Sequence, residues 1–272
     1  MGPTSAGKDA PAMACATRWA SVLGACVLIA GGCSAPKPDL TSPQITVAPY
    51  SAEKGEVLWA VVPLRNESGT SACNPLDVSD KLVAAAEEVR GVRCLPLNRT
   101  MEAMRALKMT SINGPSGAAA LAAALGADGV LMGSITAYDP YTPTIGLSIA
   151  LFARSGAMTG SAKVSGGVNT RELSASVTEQ PQSPGPLREG LVATVSEHLD
   201  GKNHQVQLDV RSYAIGRHNQ GDAMGWRRYL ASMPLFTEFA SSFAVSRVIQ
   251  QEWIRLGTAA LANRTAAVEQ PE

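Results

Sequence analysis

Apolar and polar positions change period repeatedly along this chain, and each change predicts an element. "VLWAVVPL", 57–64, is a continuous apolar run with β-branched residues, which predicts a strand buried on both faces. In "DVSDKLVAAAEEVRG" the period becomes helical, with Val78, Leu82, Ala85 and Val89 recurring, Asp77 as a cap and Gly91 as a stop. "VRCLPL", 92–97, predicts a second short strand. Asn98 can cap a helix over "RTMEAMRALK", and Ser116 opens another, "GAAALAAAL", which closes at Gly126. Residues 129–139 and 144–153 read as strands. In the second, Ile145, Leu147, Ile149 and Leu151 alternate with smaller residues. "RSGAM" reads as a turn and "TGSAKVSGGV" as a returning hairpin strand.

Beyond a linker or loop at 179–186, the pattern reads as helical. Leu187, Leu191, Val195 and Leu199 form a four-spaced stripe, "NHQVQLDVRSYAIG" favours helix over strand, and Phe236, Phe239 and Phe243 share one side of a long helix. Trp226, Tyr229 and Leu230 fit a core stripe. The order predicts an α/β protein, a small mixed-sheet α/β sandwich with a C-terminal helical extension. A right-handed crossover makes its first two strands parallel. The expected division is an α/β domain at 56–178, a helical region at 187–260 that packs on it, and a disordered tail at 261–272.

The N-terminal stretch is of another kind. Arg18 precedes the apolar run Trp19–Ala30, which has the length of a signal-peptide core and is short for a membrane span. Ala30, Gly31 and Gly32 then lead to Cys33, where polarity returns. This spacing resembles the bacterial lipoprotein signal, with Ala30 where Leu is usual. The resemblance implies cleavage before a diacylated Cys33, so residues 1–32 belong to a signal whose start is Met1 or Met13. Ser34, not Asp, follows the cysteine, which favours the periplasmic face of the outer membrane over the inner one. Pro36, Pro38, Pro43 and Pro49 make 33–55 read as an extended tether, reaching roughly 65 Å in the polyproline form.

Composition narrows the function. The chain has 45% hydrophobic residues, enough for a core, and a formal net charge of zero. Loss of Lys8, Arg18 and Asp9 with the signal barely alters that balance, so nothing argues for nucleic acid as a partner. After Cys15 and Cys26 leave with the signal, Cys73 and Cys94 are the cysteines besides the lipidation site. An even pair in an oxidising compartment admits a disulfide. Cys73 lies in the loop after the first strand and Cys94 within the second. If those strands are parallel neighbours, both positions fall at one end of the sheet. The alternative is two separate buried thiols. A bridge closing about 20 residues would contribute roughly 3 kcal/mol.

"VLWAVVPLRNESG" and "LAAALGADGVLMGSIT" are similar to two signatures of the CsgG/LpoB-like periplasmic lipoproteins: an apolar strand with an Asn-x-Ser-Gly loop, and a helix ending Leu-Gly-Ala-Asp before a strand. The likeness spans roughly residues 56–165. It implies an envelope lipoprotein that binds other proteins, as a secretion-channel subunit or an activator of a wall synthase. No pair of long alternating apolar hairpins supports a channel. In these motifs Gly126 ends a helix, Asp128 can bond nearby amides, Gly133 permits close packing, and Asn66, Ser68 and Gly69 suit a tight loop.

No catalytic, cofactor or metal residues stand out. His198, His204 and His218 lack metal-site spacing, "NGPSGAAAL" lacks a phosphate-binding Lys, and Ser68 lacks the preceding glycine of a nucleophile elbow. Tyr138 and Tyr141 in "YDPYTP" are candidate partner contacts on a rigid connection. The expectation is a non-catalytic assembly, adapter or regulatory lipoprotein, with the membrane and envelope proteins as partners and homo-oligomerisation open. The rival readings are a ring-forming secretion subunit and an enzyme acting on envelope polysaccharide or peptidoglycan.

Overall fold

The apolar run at 57–64 forms a strand shorter than its sequence pattern. β1 is Val57–Val61, and the chain leaves the ladder through Val62, Pro63 and Leu64, proline having no amide to donate. It resumes as a two-residue strand, β2, Arg65–Asn66. The computed structural model describes residues 42–50, 56–112, 114–154, 158, 190–218 and 222–268, with side chains as far as Gly257. The hairpin strand expected at "TGSAKVSGGV", the linker at 179–186 and Cys33 lie outside the described residues.

Helix α1, Pro75–Glu87, is capped by Asn74, whose Oδ1 accepts the Leu76 amide at 3.1 Å. The expected cap, Asp77, sits instead in the first turn, because Pro75 already occupies the first helical position. Strand β3 is Val92–Leu95, α2 is Leu97–Ala106 and α3 is Pro115–Leu125. Pro96 takes the cap position expected of Asn98. Gly126 closes α3 in the left-handed region at φ 67°, which glycine adopts without a Cβ penalty. The long strands β4, Gly129–Asp139, and β5, Thr144–Ala153, follow.

Leu191, Val195 and Leu199 do not lie on a helix: they belong to strand β6, Leu191–Asp200. A spacing of four is even, so it keeps residues on one face of a strand as well as on one face of a helix. Ala193, also buried, completes the period of two. The chain then turns helical as α4, His204–Ala214, a single 3₁₀ turn at Gly225–Arg227, the short α5, Arg228–Ala231, and the long α6, Met233–Val268. Helix α6 continues past Ala260, where a disordered tail was expected.

The sheet order is β3-β1-β4-β5-β6, with β2 beside β4 beyond the end of β1. β1 pairs in parallel with β3 and β4, while β4–β5 and β5–β6 are antiparallel. This is the predicted mixed α/β architecture. One sheet face and α1, α4 and α6 enclose the larger core, which contains Trp59, Leu82, Ile149, Phe236 and Phe239. The opposite face packs Val130, Met132 and Phe152 under Leu121 and Ala118 of α3.

The resemblance motifs have local physical roles. Asp128 accepts the Leu58 amide at 3.0 Å and an Arg154 N–H at 2.9 Å, tying the start of β4 to β1. The Ser68 amide and hydroxyl both donate to Asn66 Oδ1, and Asn66 Nδ2 donates to the Thr70 carbonyl at 2.8 Å. That loop turns through Gly69 at φ 77°. At Gly133 a Cβ would stand 2.1 Å from the Ser148 carbonyl, so only glycine allows β5 this close.

The proline-rich stretch is not wholly a free tether. Residues 46–50 run against the folded body. The Ala48 amide donates to Arg90 O and the Arg90 amide to Thr46 O, forming a parallel bridge at Val47. Trp253 Nε1 donates to the Val47 carbonyl at 2.9 Å, and Tyr50 donates to the fully buried Glu252 carboxylate at 3.2 Å.

Candidate functional site

A groove opens on the sheet face that carries the smaller core. Helices α2 and α3 pack over β1, β4 and β5. Beyond them the upward-facing positions are small: Ser134 on β4, and Ser148 and Ala150 on β5. These are the smaller residues that alternate with Ile145, Leu147, Ile149 and Leu151, so the alternation that builds the larger core also leaves room on the other face. The cavity above them measures about 240 Å³.

Methionines form its apolar wall. Met101 and Met104 on α2, Met109 after it and Met132 on β4 all line the cavity, with Phe152. Lys108 brings Met109 back toward Met104. Its φ of 55° makes it the one non-glycine residue with a left-handed backbone among the described residues. The Met109 amide donates to Met104 O at 2.8 Å and the Lys108 amide to Arg105 O at 3.0 Å, so the turn satisfies the last carbonyls of α2. Methionine is flexible and polarisable, and suits a wall that must fit more than one shape.

Charge is one-sided here. Among the described residues Arg65 and Arg105 line the cavity and no carboxylate does. Arg65 pairs with Glu67 at 3.1 Å, whereas Arg105 has no ion pair among the described residues. The sequence reading missed this groove. Its local signal is the run "MEAMRALKM", which on one helix and its exit turn concentrates three methionines and an arginine.

The residues singled out from the sequence fall elsewhere. Tyr138 is half-buried on the larger core, and burial chiefly raises its phenol above the usual range, with the Cys73 and Asp77 charges adding to that. Tyr141, at the β4–β5 hairpin tip, is 96% exposed, and its amide donates to Asp139 Oδ1. Cys73 and Cys94 are both buried free thiols, so the bridge considered from topology is not made. Cys94 lies on edge strand β3 opposite Trp59, and the Glu87 charge adds to the rise of its thiol, while Cys73 lies in the loop after β2, where the Asp77 charge acts in the same direction. Both thiols belong to the larger core, where they remain unjoined. Burial pushes the Cys94 thiol up to about 12, and also raises that of Cys73.

The three histidines do not converge. His198 is on β6, His204 begins α4, and His218 Nδ1 lies 2.6 Å from the Ala214 carbonyl. Among the described residues no cluster of His, Cys, Asp or Glu has metal-holding geometry, and no helix is long and apolar enough to cross a membrane.

No family model matches the chain, and no curated protein matches it either. Among solved structures it is similar to the LpoB C-terminal domain from Salmonella enterica, at 13% identity over 53% of this chain and 83% of that one, with a TM-score of 0.35. It is also similar to lipoprotein GNA1162 from Neisseria meningitidis, at 16% identity over 53% and 80%, with a TM-score of 0.32. A hypothetical protein from Chlamydia trachomatis matches at 11% identity over 76% and 99%, with a TM-score of 0.33. With overlaps this loose, the fold class rests on the strand order and register themselves.

Proposed function

We propose that this chain is a lipid-anchored, non-catalytic component of a bacterial cell envelope, acting as an assembly, adapter or regulatory protein through contact with other envelope proteins. The observation that carries the reading is the stretch Ala30-Gly31-Gly32-Cys33 behind an apolar run. Small side chains there suit a peptidase groove. Acyl chains on Cys33, worth about 0.8 kcal/mol per buried methylene, hold the protein at a bilayer. Ser34 favours the periplasmic face of the outer membrane. Because residues 46–50 dock on the body, no more than residues 34–45 can serve as the tether, a reach of roughly 40 Å at full extension. The domain therefore works close to its membrane. Tyr141 on its hairpin tip and the methionine groove are the surfaces offered to partners.

Metabolic labelling with an alkynyl palmitate analogue tests the anchor. Label should enter the wild-type chain and be lost, together with membrane association, in Cys33→Ser. An unlabelled, cytosolic wild-type protein would remove the anchor and the envelope location together. Crosslinking in cells then tests the adapter role: defined crosslinks to envelope proteins are expected, and Tyr141→Ala should weaken at least one. A substrate turnover abolished by changing one polar side chain would overturn the non-catalytic part.

A further inference from the structure

We infer that the methionine groove receives an extended segment of a partner protein, in which an apolar side chain lies next to a carboxylate. The inference rests on the adapter reading and names the chemistry of the segment that binds. Size is the first observation. About 240 Å³ is less than the usual 300–1,000 Å³ of a pocket that engulfs a whole cofactor, and suits one large side chain with its flanking backbone. Shape is the second. The floor carries the short side chains of Ser134, Ser148 and Ala150, which leave room above the sheet for an extended backbone.

Charge is the third observation, and it selects the sign of the partner. Among the described residues Arg105 has no ion pair and no acidic side chain lines the cavity. A carboxylate at the mouth would meet a planar guanidinium able to bind it through two parallel N–H donors. A basic segment would meet uncompensated repulsion. The methionine wall adds tolerance: it can repack around Leu, Met or Phe, so the expected specificity is for a class of segment and not for one residue.

The experiment selects a random dodecapeptide library on the purified full-length chain. The selected peptides are then titrated into chain labelled with ¹³C at methionine methyls. Selection should enrich Asp or Glu within two positions of Leu, Met or Phe. The methyls of Met101, Met104, Met109 and Met132 should shift, while those of Met224 and Met233, outside the groove, should not. Arg105→Glu should weaken binding by about tenfold or more. Arg99→Glu, a change at an exposed position on the same helix, should leave it within about twofold. Ser148→Leu, which fills the floor, should weaken it without changing the sign preference.

No enrichment, enrichment of basic peptides, shifts confined to Met224 or Met233, or full binding in Arg105→Glu would each overturn the inference. So would binding of free hexanoate with no peptide selected, since the occupant would then be a small acid. The two readings separate cleanly. Envelope crosslinks that persist unchanged in Arg105→Glu would leave the adapter role standing without the groove. Absence of every crosslink in the wild-type chain would remove both.

Discussion

Trp59 lies across the sheet from Gly129, and the indole occupies the space a side chain would need there. The two are register partners on β1 and β4, and a Cβ at Gly129 would stand 2.9 Å from Trp59 Cδ1 and 3.2 Å from Leu151 Cδ1. The largest buried side chain is thus admitted to the core by the absence of one on its neighbour.

Gly129→Ala should therefore destabilise the fold by about 1–3 kcal/mol through overpacking against a fully buried ring. Gly257→Ala is the contrast: a Cβ there meets nothing among the described residues, and the smaller loss of backbone entropy on folding should stabilise by up to about 1 kcal/mol. Urea midpoints at constant m-value measure both. A neutral Gly129→Ala would show that the core around Trp59 is loose.

The thiols give a second prediction. With the Cys94 thiol pushed up to about 12 and that of Cys73 raised as well, burial disfavours the reactive thiolate at both positions in the folded chain. The native protein should react slowly with a thiol-exchange reagent. After unfolding in guanidinium, both cysteines should react fully without any reductant. If reductant is needed, the two are bridged.

A third concerns the segment that runs from the tether onto α6. Glu252 is fully buried, accepts two Arg255 N–H donors at 2.7 Å, and accepts the Tyr50 hydroxyl. Arg255→Ala leaves a buried carboxylate unpaired and should cost about 3–5 kcal/mol. The double change Arg255→Met with Glu252→Met should recover most of that. Tyr50→Phe should cost about 1.5–3 kcal/mol at most and speed amide exchange at Ala48, whose N–H bonds Arg90 O. Unchanged exchange at Ala48 would mean that the Tyr50 contact does not hold the segment down.

A fourth is a pH dependence. Burial raises the Glu197 carboxyl above its usual range; Arg247 at 3.5 Å opposes this, and Asp209 adds to it. The folded state therefore binds a proton more readily than the unfolded one in the window just above the ordinary glutamate value. Stability should fall as pH rises through that window and level off above it. Glu197→Gln should remove this slope, and Arg247→Ala should extend it to higher pH. Melting temperatures between about pH 4 and 7 test the sign.

Much of the α/β core was legible because its periods are unambiguous. β4 and β5 fall on the residues their patterns predicted, and Ile145, Leu147, Ile149 and Leu151 do face the larger core. β6 was misread because a four-residue stripe satisfies both periods. The groove was illegible for a different reason. Met132 and Ser148 are distant in sequence from Met104 and Arg105, and only the packing of α2 and α3 over the sheet brings them together. The docking of 46–50 is hidden likewise, because its partners Arg90, Glu252 and Trp253 lie on other elements.

Local patterning alone determined the class of the fold, the order of its first strands and helices, and a cysteine placed where polarity returns after an apolar run. Those properties depend on neighbours a few residues apart, which is the range over which period, caps and turn residues act. Tertiary structure alone decided that Cys73 and Cys94 stay apart, that a strand and not a helix closes the sheet beyond β5, and that four methionines and two arginines share one cavity. Each of these depends on which surfaces meet across the sheet, a relation set by packing and burial between residues far apart in the chain.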